Sequence, residues 1–77
     1  MDIRSVMTAR PATCGRDATL QEVARLMKDN DCGEIPVVDD NRRPVGVITD
    51  RDITWRVVGS GKNPEQTSVR DAMASLL

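Results

Sequence analysis

The sequence predicts a small α+β domain, and two observations in a chain of 77 residues predict it. One stretch has the spacing of an amphipathic helix behind a capping sequence. Two short β-branched runs, Ile35-Pro36-Val37-Val38 and Val45-Gly46-Val47-Ile48, flank a polar turn at 39–43. Such runs are typical of an antiparallel hairpin. A second helix is predicted directly after the hairpin.

The first helix is predicted to begin after Thr19, because Thr19 and Glu22 have the spacing of a capping box. The apolar positions that follow share one helical face, and Leu26 widens it. They are Leu20, Val23, Ala24 and Met27. Gly33 is predicted to end the helix in the left-handed conformation that glycine tolerates.

Before this helix, the apolar positions of Ile3–Met7 predict one helical turn packed on the domain. Pro11 favours an extended backbone, so a short strand is predicted around Ala12-Thr13-Cys14. The turn Gly15-Arg16-Asp17 closes it. The predicted order is therefore strand, helix, strand, strand, helix.

The junction Gly46-Val47-Ile48-Thr49-Asp50-Arg51-Asp52 carries the most chemistry, because a buried strand is predicted to become the first turn of a helix there. A helix N-terminus offers unpaired backbone N–H groups and the positive end of the peptide dipole, so a corner with Thr49 and Arg51 suits a phosphate. Asp52 could accept both hydroxyls of a ribose. Thr49 and Asp52 also fit a carboxylate variant of the capping box, and the sequence leaves both interpretations open.

The second helix is predicted to carry Ile53, Val57 and Val58 before Gly59-Ser60-Gly61 stops it. Trp55 lies between these positions and is predicted to lie off the apolar face. A lone exposed Trp is typical of a contact surface, so we expect Trp55 in a subunit contact rather than stacked on a ligand.

Charge and composition exclude several classes of function. The net charge is −1, from 11 basic and 12 acidic residues, and Trp55 is the only aromatic residue, which argues against a nucleic-acid surface. The chain has no histidine, and Cys14 and Cys32 lack metal-ligand spacing, so neither a metal site nor catalytic residues are predicted. The two cysteines fall at opposite ends of the first helix, and we expect buried or half-buried thiols rather than a disulfide.

No run is long and apolar enough for a transmembrane helix, and the N-terminus lacks a secretory stretch. A cytoplasmic location with no membrane partner is therefore expected. A chain of this size buries only about 60% of its unfolded surface, so a second copy or another partner is also expected.

The domain organisation is predicted from the C-terminal part of the sequence, which contains a polar connector and a segment similar to the N-terminus. Residues 1–61 form the predicted domain, and 62–68 form a polar connector. The segment Val69-Arg70-Asp71-Ala72-Met73-Ala74 aligns with Ile3-Arg4-Ser5-Val6-Met7-Thr8, with identical Arg and Met. Residues 69–77 are therefore predicted to be the start of a second repeat or a C-terminal helical turn.

In order along the chain, these segments resemble a CBS domain, the unit that pairs to form a Bateman regulatory module. The landmarks are Val6-Met7-Thr8, the helix start Thr19-Leu20-Gln21-Glu22-Val23 with Met27, Gly33-Glu34-Ile35-Pro36-Val37-Val38-Asp39, and the junction at 46–52. The resemblance implies a β-α-β-β-α unit whose short three-stranded sheet packs against two helices. It also implies pairing with a second unit through the sheets, in a tandem repeat or a homodimer.

The resemblance further implies a ligand and its site. Family members commonly bind AMP, ADP, ATP or S-adenosylmethionine and regulate an attached protein. By the match to the family's motif, Thr49 would contact phosphate and Asp52 the ribose hydroxyls, with Arg51 either neutralising a phosphate or facing solvent. The family's adenine slot would fall on Ile35 and Pro36 together with the strand residues Ala12 and Thr13, for which a plain core role is the alternative.

Two functions are therefore expected from the sequence. One is a regulatory, energy-sensing module whose adenosine-ligand cleft is completed by a second CBS unit. The other is a dimerisation module without a small-molecule ligand. An enzyme is disfavoured, because only carboxylates would be left to carry the chemistry, and no cofactor is required.

Overall fold

The elements of the computed structural model, which describes residues 12–76, follow the predicted order. They are β1 (Cys14–Gly15), α1 (Leu20–Asn30), β2 (Glu34–Val38), β3 (Pro44–Thr49), α2 (Asp50–Ile53), a π-helical turn (Thr54–Val58), a 3₁₀ turn (Val69–Asp71) and β4 (Ala74–Ser75). The predicted helical turn at Ile3–Met7 lies outside the described residues. The α+β class is confirmed.

The first helix begins as predicted. The Glu22 N–H donates to Thr19 Oγ1, and Glu22 Oε2 accepts the Thr19 N–H, which completes the capping box. Three positions of the predicted apolar face, Leu20, Val23 and Met27, are buried. The helix therefore packs through the face that the spacing predicts.

The predicted end of this helix at Gly33 is wrong. Asp31 takes the left-handed conformation instead, with φ at 49°, and the Cys32 N–H reaches back to the Met27 carbonyl at 3.0 Å. A short polar side chain tolerates this conformation, so glycine is not needed there. Position 33 needs a glycine for a different reason. A Cβ placed there would lie 2.8 Å from Asp50 Oδ2, so the close packing of Asp50 leaves no room for a side chain.

The sheet has the order β1-β2-β3-β4, one strand more than the three predicted. β1 runs parallel to β2, with Cys14 opposite Val37, and β2 and β3 form the predicted antiparallel hairpin. β4 adds to the outer edge of β3, where Gly46 lies opposite Ser75. The C-terminal segment thus supplies a 3₁₀ turn and an edge strand to this sheet.

One apolar core lies between the sheet and the helices. Its buried members are Cys14, Leu20, Val23, Met27, Ile35, Val37, Ile48, Val57, Val69 and Ala72. Val69 and Ala72 come from the segment after the connector, so this segment belongs to the core of the described fold. The connector also packs on α1, since the Leu20 and Gln21 N–H groups donate to the Thr67 and Pro64 carbonyls.

The second helix departs from the prediction at one position. Val57 is fully buried and Ile53 half-buried, but Val58 is 66% exposed. The reason is the π-helical turn, in which the Gly59 N–H bonds to the Thr54 carbonyl at 2.7 Å and adds a residue to the turn. Trp55 is 65% exposed, and its predicted position off the apolar face is confirmed.

Candidate functional site

The junction between β3 and α2 holds Thr49 and Asp52 in a reciprocal pair. The Asp52 N–H donates to Thr49 Oγ1 at 3.1 Å, and the Thr49 N–H donates to Asp52 Oδ2 at 3.0 Å. This is a complete capping box, so the structural interpretation of the two residues is confirmed. The pair fixes both side chains at the end of the strand.

The capping box leaves hydrogen-bonding capacity on both side chains. Thr49 Oγ1 accepts a bond in the box, and a hydroxyl can donate one as well. Asp52 Oδ2 is used by the Thr49 N–H. Among residues 12–76, the cation paired with Asp52 Oδ1 is Arg56, whose Nε lies 3.8 Å away, beyond hydrogen-bond distance. The Asp52 side chain is 17% exposed. A polar ligand can therefore approach Oδ1 without breaking the cap.

The first-turn N–H groups are not unpaired, and this premise of the sequence analysis is wrong. The Asp50 N–H donates to the Gly33 carbonyl at 2.9 Å, and the Arg51 N–H donates to Asp50 Oδ1 at 2.8 Å. The Asp52 N–H is taken by Thr49. The cause is that a neighbouring loop carbonyl and two local side chains supply all the acceptors.

The Arg51 guanidinium lies over the Trp55 ring, 4.4 Å from its centroid. Both side chains are exposed, and their spacing of four residues places them on one side of the helix. This pairing was not predicted from the sequence, although a spacing of four residues on a helix indicates it. Arg56 forms an ion pair with Asp52.

Two of the predicted adenine-slot residues, Ile35 and Pro36, lie near the same end of the sheet as Thr49. Glu34, at the start of β2, is opposite Thr49 at the end of β3. β1 pairs with β2 from Cys14, which lies opposite Val37, and Ala12 and Thr13 come directly before this pair in the chain. The structure thus brings Ile35, Pro36 and Thr49 to one end of the β2–β3 pair.

These residues differ in burial. Ala12 and Thr13 are half-buried, whereas the side chains of Ile35 and Pro36 are less than 2% exposed. Ile35 is a member of the apolar core. Its side chain therefore serves the core, and Ala12 and Thr13 are the accessible part of this group.

A separate groove of about 600 Å³ lies between the end of α1 and the start of α2. Met27, Cys32, Gly33, Asp50 and Ile53 are among its lining residues. None of the predicted ligand-binding residues lines it. The groove is therefore on a different surface from the Thr49–Asp52 pair.

The two cysteines have the predicted burial. Cys14 is buried, and desolvation raises the pKa of its thiol to about 11. Cys32 is half-buried, and its Sγ donates to the Glu34 carbonyl at 3.5 Å. Residues 12–76 contain no group of three or more metal-ligating side chains placed to hold an ion. Within the same residues, no helix has the length and apolarity needed to cross a membrane.

A family model for the CBS domain matches residues 3–59. The chain is 39% identical over 75 residues to the CBS domain-containing protein YhcV of Bacillus subtilis. The alignment covers 97% of this chain and 52% of that protein. It is 35% identical over 71 residues to the uncharacterized protein MK0525 of Methanopyrus kandleri, covering 92% of this chain and 34% of that protein. The chain thus spans between a third and about half of these relatives.

Among solved structures, the chain is similar to a cystathionine beta-synthase domain protein fused to a Zn-ribbon-like domain. The TM-score is 0.76 at 32% sequence identity, and the match covers 83% of this chain and 91% of that chain. The described fold and the sequence therefore point to the same family.

Proposed function

The chain belongs to the CBS domain family, and on that premise we propose that it is a regulatory module that binds an adenosine-containing ligand. Proteins with CBS domains are typically regulatory and often bind ligands. The proposed ligands are AMP, ADP, ATP or S-adenosylmethionine. We place the module in the cytoplasm and assign it no catalytic step of its own.

The observation that carries this proposal is the Thr49–Asp52 pair. Within residues 12–76, Asp52 Oδ1 makes no hydrogen bond, and it can accept the hydroxyls of a ribose. The Thr49 hydroxyl can donate to an oxygen next to that ribose, such as a phosphate oxygen. Ala12 and Thr13, which come directly before β1, are proposed to border the adenine together with Ile35 and Pro36.

CBS domains pair with a second CBS unit, and we propose that such a unit supplies the other wall of this cleft. A homodimer or a tandem repeat would provide it. The pairing would place two sheets against each other, as the resemblance implies. The proposed binding experiment therefore uses the paired form, identified by sedimentation.

Isothermal calorimetry with the four ligands tests the proposal. Asp52→Ala is expected to weaken binding of the best ligand about tenfold or more, because the ribose loses a charged acceptor. The matched control is Glu22→Ala, which removes the equivalent residue of the capping box on α1 and is expected to leave affinity unchanged. Unchanged affinity in Asp52→Ala, or no binding of any of the four ligands to the paired form, would refute the proposal.

A second candidate, a dimerisation module without a small-molecule ligand, is favoured by one observation. Trp55 and Val58 are 65% and 66% exposed, and both lie on the π-helical turn that follows α2. If these side chains form the subunit contact, Trp55→Ser is expected to shift sedimentation toward monomer at micromolar concentration. Ser60→Ala, a change at another exposed residue beyond the same helix, serves as the control. A monomeric wild-type protein would contradict this candidate.

A further inference from the structure

The groove between the end of α1 and the start of α2 combines apolar side chains with a charged rim. Its volume of about 600 Å³ is ample for one aromatic side chain. Three apolar side chains line it, those of Ala24, Met27 and Ile53. Asp31 and Asp50 add two carboxylates, and Lys28 adds one ammonium group. The charged part of the lining is therefore acidic on balance, which suits an apolar group that carries a positive charge.

Trp55 and Arg51 form a surface with the complementary properties. Trp55 is 65% exposed, and the Arg51 guanidinium lies 4.4 Å from the centroid of its ring. This contact holds the cation against the ring, so the two side chains present an apolar surface and a positive charge together. Trp and Arg are also among the residue types that dominate binding energy at protein interfaces.

The two surfaces are separate within one copy of the chain, because Trp55 is exposed and is not among the residues that line the groove. They are nevertheless close together. Asp50 and Ile53, the first and last residues of α2, line the groove, and Arg51 lies between them in the sequence. A two-fold axis near α2 therefore allows each copy to place its Trp55 in the groove of the other, as a self-complementary dimer contact requires.

We infer that this groove receives Trp55 and Arg51 of a second copy of the chain. The Trp55 ring packs on the apolar side chains of the groove, and the Arg51 guanidinium pairs with the carboxylates of Asp31 and Asp50. The contact excludes water from a ring that is otherwise exposed, and it brings opposite charges together.

This inference rests on the second candidate function, the dimerisation module, and names the surface that Trp55 contacts. The lining of the groove comes from α1, α2 and the loop between α1 and β2. The contact therefore leaves the sheet available for pairing with another CBS unit, and it leaves the Thr49–Asp52 pair outside the contact.

Fluorescence reports this contact directly, because Trp55 is the only aromatic residue of the chain. Raising the protein concentration from about 1 μM to about 1 mM is expected to shift the Trp55 emission to shorter wavelength, because the ring leaves water on association. Quenching of the emission by acrylamide is expected to decrease over the same range. Sedimentation of the same samples gives the dissociation constant.

Ala24→Arg tests the groove itself. It places a long cationic side chain in the groove and keeps a good helix former in α1, and it is expected to weaken association about tenfold or more. The Trp55 emission of this variant is then expected to stay at its dilute position. Gln66→Arg adds the same charge at an exposed residue of the connector and is expected to behave as the wild type. Thermal unfolding checks that each variant folds.

A charge exchange tests the pairing of Arg51 with the rim. Arg51→Glu and Asp31→Arg are each expected to weaken association about tenfold, because each places like charges across the contact. The double variant restores opposite charges and is expected to associate about threefold or more tightly than either single variant. Asp40→Arg makes the same change of charge in the hairpin turn and is expected to leave association unchanged.

The outcomes distinguish this inference from the functions proposed above. A wild-type emission that does not change with concentration would refute both the inference and the dimerisation candidate. A shift that persists in Ala24→Arg would refute the groove as the receiving surface and leave that candidate intact. A double variant that associates no more tightly than the single variants would also refute the contact. Ligand binding at the Thr49–Asp52 pair is tested separately by the calorimetry described above.

Discussion

At the scale of single residues, side-chain carboxylates organise the turns of this chain. Glu22 and Asp52 each close a capping box, and Asp39 closes the hairpin between β2 and β3. Asp39 Oδ1 accepts the N–H groups of Asn41 and Arg43, both at 2.9 Å. The two bonds to Asp39 favour the charged form of its carboxyl group, so acid weakens the hairpin turn that they hold.

Asp39 gives a pH dependence of stability. The Arg43 N–H bond, followed by the Asn41 bond and the Arg43 charge, holds the pKa of Asp39 below its ordinary value of 3.8. The folded state therefore binds the proton more weakly than the unfolded chain does. The contribution to stability is fully present above the unfolded pKa and is lost as pH falls through the folded pKa.

Urea unfolding of the wild type and of Asp39→Asn, measured between about pH 2 and pH 6, checks this dependence. The wild type is expected to lose more stability on acidification than Asp39→Asn does. The control is Asp40→Asn, which removes an exposed carboxylate from the same turn and is expected to follow the wild type. Parallel pH profiles for the wild type and Asp39→Asn would contradict the prediction.

At the scale of elements, β4 explains Gly46, the glycine at the start of the ligand motif. A Cβ on Gly46 would lie 2.5 Å from the Ala74 carbonyl oxygen. No real Cβ makes such a contact with backbone, so the edge strand fits only because Gly46 has no side chain. The first residue of the motif therefore has a packing role in this fold.

Gly46→Ala is accordingly expected to displace β4 and to reduce the free energy of unfolding by about 1–3 kcal/mol. Gly15→Ala is the matched control, because nothing lies within 4 Å of a Cβ placed at that strand position. Urea unfolding measures both variants, and amide hydrogen exchange at Leu76, whose N–H bonds to the Val45 carbonyl, reports the loss of the edge. Equal stability of the two variants would rule out this role for Gly46.

At the scale of the whole molecule, the segment after the connector completes the core. Val69 is fully buried, and its N–H donates to the Ala18 carbonyl at 2.9 Å. Arg70 forms an ion pair with Asp17 on the loop that precedes α1. These contacts join the C-terminal segment to the start of the described fold.

Val69→Ala is therefore expected to lower the free energy of unfolding by about 2–3 kcal/mol, because it leaves a cavity in the core. Val58→Ala makes the same change at a side chain that is 66% exposed, and its expected cost is below about 0.5 kcal/mol. Denaturant unfolding of the two variants gives the comparison. A cost at Val69 as small as that at Val58 would show that the segment does not belong to this core.

The sequence by itself determined the order of the elements and both helix starts, because capping boxes, helical spacing and β-branched runs act between residues close in the chain. It did not determine that Gly33 and Gly46 make room for Asp50 and β4, or that Val69 joins the core. These features depend on segments distant in sequence coming together. The tertiary structure also decided one donor of the junction, since the Gly33 carbonyl, from a loop distant in sequence, accepts the Asp50 N–H, whereas the side chains of Asp50 and Thr49 that hold the next two N–H groups are local.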